Sequence, residues 1–237
     1  MTENQQKPYQ RAMVVVAHAD DAEFSCSGTV AKWCKEGVAV TYVLVTDGSK
    51  GTSDRGLSSP QLAQIRRQEQ INAGNILGLK EVVFLDYPDA YLQPTLEVRR
   101  DIAREIRRHR PDILITTNPN RSLTGTGYIG HPDHFAAGEA ALSAAFPAAR
   151  DFLTFPELFL DEGLEPHNVR EILIIGHDNP DKWFDISETI DTAIQSLLAH
   201  ESQLGQEAAD RTRQWRAEAG KKHGVTYAEE FKHFILS

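Results

Sequence analysis

The chain has 237 residues, enough for one α/β domain with a sizeable core. Hydrophobic residues make up 41% of it and charged residues 25%, so neither intrinsic disorder nor a fibrous repeat is expected. The formal net charge of -9 argues against a nucleic-acid partner, because binding to a phosphate backbone draws its affinity from Lys and Arg.

The beginning of the chain is polar, and we expect a flexible N-terminus at 1–11 in front of a single domain that spans 1–237. The apolar run Met13–Ala17 is too short for the core of a signal peptide or for a membrane span. A cytoplasmic protein with no membrane partner is therefore predicted. The two cysteines, Cys26 and Cys34, provide neither a disulfide framework nor a paired zinc knuckle.

Apolar β-branched runs alternate with amphipathic stretches along the chain. Buried strands are predicted at Met13–Ala17, Val38–Thr46, Val82–Leu85, Ile113–Thr117 and Ile172–Ile175. Helices are predicted at Gly28–Glu36, Pro60–Leu77, Thr95–His109, Pro132–Ala145 and Ser187–Ser202. This alternation predicts a single Rossmann-like α/β domain of three layers with a mostly parallel sheet. Its ligand site should lie beyond the carboxyl ends of the strands.

Two stretches have no regular apolar pattern. The segment Gly48–Ser59 is rich in Gly, Ser and Asp, which is typical of a lid or of an oligomer contact, and the sequence does not choose between them. Residues 147–170 are rich in Pro and Phe and predict an irregular excursion between a helix and a strand.

One histidine and two carboxylates, His18, Asp20 and Asp21, directly follow the first predicted strand. Two adjacent carboxylates at an apolar sheet end are costly unless a positive group compensates them, which implies a cation. Two other interpretations stay open. One aspartate can simply cap the next helix, or the acidic pair can bind magnesium without His18.

A second group, His131-Pro132-Asp133-His134, follows the fourth predicted strand. Pro132 and Asp133 suit the first turn of a helix, while two histidines three positions apart can point into one pocket. Two histidines and one carboxylate with an open position are typical of catalytic zinc sites. The same count describes non-haem iron oxygenases, so Zn2+ is expected and Fe2+ is the alternative; an all-β barrel usually carries the iron triad.

Together these motifs resemble those of the N-acetylglucosaminyl deacetylases of the LmbE-like or PIG-L family. The usual His-Pro-Asp-Asp of that family reads His18-Ala19-Asp20-Asp21 here, and its His-Pro-Asp-His is intact at 131–134. The resemblance runs from residue 13 to residue 205 or so, with further matching stretches at Thr46-Asp47-Gly48, Ile65–Glu69, Leu77-Gly78, Tyr87-Pro88-Asp89 and His200–Gln203.

The resemblance implies roles for individual residues. The metal ligands would be His18, Asp21 and His134, and the general base would be Asp20. His131 would stabilise the oxyanion, with Asp133 orienting it. Sugar hydroxyls would be bound by Arg66 and Asp89. Some relatives have a tyrosine two places before the first histidine of the second motif; Ile129 stands there, so Tyr128 is a candidate for that role.

The resemblance implies a zinc-dependent hydrolase that removes the N-acetyl group from an N-acetylglucosamine-containing sugar or conjugate. One alternative is an amidase acting on a thiol-sugar conjugate, which needs the same chemistry and a different pocket. Another is a noncatalytic, metal-containing carbohydrate-binding protein. The expected partner is a small N-acetylated sugar, and relatives of this kind commonly form homo-oligomers.

Overall fold

A seven-stranded sheet lies at the centre of the computed structural model, which describes residues 8–123 and 129–236. The strands are β1 (Arg11–Val16), β2 (Ala39–Thr46), β3 (Glu81–Tyr87), β4 (Ile113–Thr117), β5 (Glu171–Ile175), β6 (Lys182–Asp185) and β7 (Ala228–Ile235). Their order is β3-β2-β1-β4-β5-β7-β6. The strands β1 to β5 pair in parallel, whereas β7 is antiparallel to both β5 and β6. The predicted α/β class and mostly parallel sheet are confirmed.

Helices cover both faces of this sheet. They are α1 (Asp21–Ser25), α2 (Ser27–Lys35), α3 (Ser59–Leu77), α4 (Leu96–His109), α5 (Pro132–Ser143), α6 (Glu157–Leu160), α7 (Ile190–Leu198) and α8 (Gln206–His223). Among the residues described, no helix has the length and apolar character needed to cross a membrane.

The predicted strands agree with β1 to β5 to within about two residues at each end, but two predicted helices are too long. The helix predicted at Pro132–Ala145 ends at Ser143 and gives way to a kinked turn over Ala144–Ala148, in which Phe146 has extended backbone angles and Pro147 has no N–H to continue the regular ladder. The one predicted at Ser187–Ser202 is only Ile190–Leu198. The sequence analysis missed β6, β7 and α8 altogether, and residues 147–170 contain only the single turn α6.

The apolar run of β1 is continuous because both faces of the strand are buried. Met13 and Val15 belong to the core cluster that includes α4 and α5, while Val14 and Val16 belong to the cluster that includes α2. Near the start of the chain, the Tyr9 hydroxyl donates a hydrogen bond to Glu171 at 2.8 Å. Of the N-terminal segment predicted to be flexible, 1–11, residues 1–7 lie outside the described residues.

The strand order reverses direction between β1 and β4. From β1 the chain builds β2 and β3 on one side, and it then crosses over to build β4 and β5 on the other. Such a switch point leaves a crevice at the carboxyl ends of the two strands, which is where α/β sheets bind ligands. Both histidine motifs open onto this crevice, since one follows β1 and the other begins α5 after β4.

The close packing of α5 against β4 depends on Gly138. A Cβ atom at this position would lie 2.3 Å from the carbonyl oxygen of Thr117. Helix propensity alone predicts that Gly138→Ala gains about 1 kcal/mol, but the overlap forces the helix away from the strand, and we expect a net loss of about 1–3 kcal/mol in the free energy of unfolding.

Urea unfolding checks this prediction. Glu139→Ala, at the exposed neighbouring position of α5, is the control and should change stability by less than about 0.5 kcal/mol. A Gly138→Ala protein as stable as the native chain would show that the helix can move away from β4 without cost.

Candidate metal centre and active site

Three side chains of metal-binding types meet at the carboxyl edge of the sheet. His134 Nε2 lies 3.0 Å from Asp21 Oδ1 and 3.2 Å from His18 Nδ1. His18 Nδ1 lies 3.6 Å from Asp21 Oδ2, and the backbone N–H of His18 donates to the same oxygen at 2.9 Å. The structure thus brings together the three residues that the family resemblance names as ligands.

These distances match the geometry of a bound divalent cation. Atoms bonded to tetrahedral zinc at about 2.0–2.1 Å lie about 3.3 Å from one another. Here His134 Nε2 lies 3.2 Å from His18 Nδ1, and Asp21 approaches the two histidines through different oxygens, Oδ1 at 3.0 Å from His134 and Oδ2 at 3.6 Å from His18. Candidate metal-ligating atoms also lie within 4.8 Å of one another in two overlapping groups, which are His18, His131 and His134, and His18, Asp89, His131 and Asp133. The donor set therefore fits a metal ion.

The second ring nitrogen of His18 is held by two further carboxylates. His18 Nε2 lies 3.1 Å from Asp89 Oδ1 and 3.3 Å from Asp133 Oδ2. A carboxylate at one ring nitrogen keeps the hydrogen there and leaves the other nitrogen free to bind a metal, an arrangement common around metal-bound histidines. The hydrogen of neutral His18 therefore belongs on Nε2, and the lone pair of Nδ1 faces Asp21 and His134.

The site concentrates negative charge. Burial opposes protonation of His18, but hydrogen bonds to Asp133, Asp21 and Asp89 raise its pKa to about 12. Burial also works to raise the pKa of Asp21, yet His134 and His18 hold it well below its usual value. Carboxylates that stay ionised in so buried a place require positive charge beside them, which a protonated His18 or a divalent cation can supply.

Asp20 stands beside the proposed ligand Asp21 with a different environment. Its backbone has a φ of 85°, in the left-handed region, and its carboxylate lies 3.5 Å from Arg66 Nη2. Burial raises the pKa of Asp20 to about 7; the charge of Asp21 acts in the same direction and Arg66 opposes it. A carboxyl group with a pKa near 7 is suited to accepting and returning a proton.

His131 caps the N-terminus of α5, where its Nδ1 accepts the backbone N–H of Asp133 at 3.2 Å. Its ring lies edge-on to that of His18, with 4.7 Å between centroids. Burial and the charge of His18 lower the pKa of His131. The Asp133 carboxylate is 4.0 Å from His131 Nδ1 and closer to His18; it also accepts the N–H of Ala90 at 2.7 Å.

The other predicted site residues are placed as follows. Arg66 and Asp89 both line the pocket beside the metal centre, but each is already engaged. Arg66 donates to the carbonyls of Ala19 and Gly48, at 2.8 and 3.2 Å, and Asp89 accepts the N–H of Lys50 at 3.0 Å. Tyr128 lies outside the described residues.

Two pockets that share wall residues open at the metal centre. The first, about 410 Å³, is lined mostly by polar and charged side chains, among them Lys50, Arg66, Asp89, His131 and Gln203; we call it the polar arm. The second, about 610 Å³, is the aromatic arm, and its walls include Phe24, Asn118, Phe135, Arg211 and Trp215. Both pockets share Asp21, Phe24 and His134. A substrate with its reacting bond at the metal centre thus has room on either side.

Sequence reasoning missed a buried polar network behind Asp20. Gln70 Oε1 accepts the backbone N–H of Asp20 at 3.3 Å, and Gln70 Nε2 donates to Glu23 Oε1 at 3.0 Å. Glu23 Oε2 lies 3.3 Å from Nε2 of His200, which the sequence marked only as a family match. All three side chains are 0–1% exposed. No local sequence pattern predicts such a network, because its members are far apart in the chain.

Comparison with known proteins identifies the relatives of this chain. A diacetylchitobiose deacetylase of Thermococcus kodakarensis is 33% identical over 224 residues, covering 93% of this chain and 81% of that protein. A probable N-acetyl-alpha-D-glucosaminyl L-malate deacetylase 2 of Bacillus anthracis is 28% identical, covering 95% and 92%. The solved N,N'-diacetylchitobiose deacetylase from Pyrococcus horikoshii, complexed with its inhibitor MPG, has a TM-score of 0.89 at 29% identity, covering 98% of this chain and 86% of that one.

A family model described as PIG-L: GlcNAc-PI de-N-acetylase matches residues 13–145. That segment is more than half of the chain, and it contains most of β1 and all of β2 to β4 together with both histidine motifs. The resemblance seen in the sequence is therefore confirmed, and the chain belongs to the PIG-L family of de-N-acetylases.

Proposed function

We propose that this protein is a zinc-dependent hydrolase that removes the N-acetyl group from a small N-acetylglucosamine-containing saccharide. Its family is one of amide hydrolases, so the reaction class follows from membership. The observation that carries the proposal is the meeting of His18, Asp21 and His134 at zinc-ligand spacing, with the separate carboxylate Asp20 beside them.

In this proposal His18, Asp21 and His134 would hold Zn2+, which when bound would lower the pKa of a water ligand and polarise a carbonyl. Asp20 takes the proton of the attacking water and later returns it to the leaving amine. His131, whose Nδ1 is occupied by a backbone N–H, presents Nε2 to the developing oxyanion.

Asp133 acts on this site through its contacts. Its carboxylate accepts the backbone N–H groups of Ala90 and Leu92 and approaches His18 Nε2, so it ties the loop after β3 to the start of α5. We propose that Asp133 fixes the ring of His18 directly and the position of His131 through the helix start. This extends the role that the family resemblance implies for it.

The two arms of the pocket support a substrate with more than one sugar ring. The polar arm, with Arg66 and Asp89 at its wall, suits the hydroxyl groups of the N-acetylated ring. The aromatic arm offers Trp215, which is 49% exposed, as a flat surface for a second ring, and Asn118 lines the same arm. Relatives named as diacetylchitobiose deacetylases make N,N'-diacetylchitobiose the first substrate to test.

The alternatives make different predictions on one substrate panel. Acetate release from N,N'-diacetylchitobiose or from other N-acetylglucosamine glycosides supports the proposed function. Cleavage of a thiol-sugar conjugate amide alone would favour the amidase. Binding without turnover of any substrate would favour the carbohydrate-binding protein, and higher activity with Fe2+ than with Zn2+ would change the proposed metal.

The metal prediction can be checked without measuring activity. We expect about one zinc per native chain by elemental mass spectrometry, because three ligands suffice for a catalytic site, and a loss of most of that metal in His134→Ala. His223→Ala is the control, since His223 packs on Trp183 and bonds to Glu230. Equal zinc in the native and His134→Ala proteins would contradict the ligand assignment.

Removal of the proposed base should slow the chemical step. We expect Asp20→Asn to lower kcat by about 10²–10⁴-fold while the metal remains bound, because an amide cannot accept the proton. Asp86→Asn is a matched control: Asp86 also has a positive φ, of 56°, but it is exposed and pairs with Arg67. Native turnover in Asp20→Asn would exclude this residue as the base.

The aromatic arm predicts a difference between substrates of different length. Trp215→Ala should raise KM for N,N'-diacetylchitobiose by about fivefold, a loss of ~1 kcal/mol of ring contact, and should leave KM for N-acetylglucosamine unchanged. Trp183→Ala, an exposed tryptophan on β6, is the control. An equal effect of Trp215→Ala on both substrates would place the second ring elsewhere.

A further inference from the structure

We infer that Gln70, with Arg66, positions Asp20 by holding both ends of the peptide unit that joins Ala19 to Asp20. The inference rests on the proposed role of Asp20 as the base. Arg66 Nη2 donates to the carbonyl of Ala19 at 2.8 Å, and the N–H of Asp20 donates to Gln70 Oε1 at 3.3 Å. That carbonyl and that N–H are the two polar groups of one peptide unit.

The spacing of the two side chains on α3 makes this double contact possible. Arg66 and Gln70 are four residues apart, so they lie on the same face of the helix and about one turn, ~5.4 Å, from each other. The carbonyl and the N–H of a trans peptide point in opposite directions. Two side chains one turn apart can therefore reach both, and Arg66 and Gln70 are only 5% and 0% exposed.

Asp20 needs such support because of its backbone conformation. A φ of 85° is unfavourable for a residue with a Cβ atom, although Asp tolerates it better than most residues do. A change in φ at Asp20 that relieves this strain turns the Ala19–Asp20 peptide plane and the Asp20 side chain relative to each other. The same rotation would break the bonds to Arg66 and Gln70 together, so these bonds oppose it.

The amide of Gln70 is held in one orientation by Glu23. With Nε2 donating to Glu23 Oε1 at 3.0 Å, Oε1 is left to accept from Asp20. The reversed amide would place two donors against each other at Asp20 and two acceptors against each other at Glu23, which is costly in a buried site. On the far side, Nε2 of His200 lies 3.3 Å from the other oxygen of Glu23, close enough for an ion pair but without the geometry of a hydrogen bond.

The test removes the acceptor while keeping the volume. In Gln70→Met we expect kcat to fall by about 10-fold or more, since small displacements of a reacting group are expensive, with KM changed less than about twofold and zinc content unchanged. NMR should show faster hydrogen exchange of the Asp20 amide, measured on the metal-free protein so that the readout is independent of turnover. Gln68→Met, exposed on the same helix, is the control.

A second variant separates positioning from general damage to the core. In the double variant Gln70→Glu with Glu23→Gln, the carboxylate at position 70 still accepts from Asp20 and the amide at position 23 donates to it. We expect kcat within about threefold of the native value, because the hydrogen bond to Asp20 is retained. Recovery of kcat in the double variant after its loss in Gln70→Met supports positioning.

The outcomes also distinguish this inference from the proposed function. Loss of turnover in Asp20→Asn with native kcat in Gln70→Met overturns the positioning role alone. Equal losses in Gln70→Met and in the double variant also overturn it, because the acceptor would then not matter. Native turnover in Asp20→Asn refutes the base itself and the inference with it, whatever the exchange rate of the Asp20 amide.

Discussion

The imidazole of His18 connects two sets of acidic groups, and the site depends on that connection. One ring nitrogen faces Asp21, and the other faces Asp89 and Asp133. These three carboxylates come from the ends of different elements, so the ring links β1 to the loop after β3 and to the start of α5. In neutral His18 the two carboxylates at Nε2 favour the hydrogen on that nitrogen and leave Nδ1 to face Asp21; one of the two, Asp133, is fully buried and is itself fixed by backbone N–H groups.

The sequence predicted those parts of the fold where local pattern and burial agree. Strands such as β1 and β4 are buried on both faces, so their apolar runs are continuous and unmistakable. The missed strand β7 carries charged and polar residues among its apolar ones, since only part of it is covered. The missed helix α8 buries small residues, including Ala208 and Ala219, between many charged ones, so its apolar face has little contrast.

The candidate site was accessible to sequence reasoning for a topological reason. Both histidine motifs directly follow strands, and the switch point between β1 and β4 brings such positions together. The carboxylate partners of His18 could not be predicted in the same way, because the sequence indicated other roles for Asp133, in the first turn of a helix and in orienting His131. The roles of Gln70 and Glu23 could not be predicted from the sequence. They depend on a contact between α3 and α1, and the spacing of residues along the chain does not reveal that contact.

The residues around the pocket come from two parts of the chain, the family segment 13–145 and the last third. All the candidate ligands and the proposed base lie within residues 13–145, the segment that the family shares. The last third of the chain instead contributes wall residues, among them Gln203, Arg211 and Trp215. Part of the pocket wall is thus encoded outside the stretch that holds the reacting groups, so substitutions around α8 can change which saccharide enters while the reacting groups stay as they are.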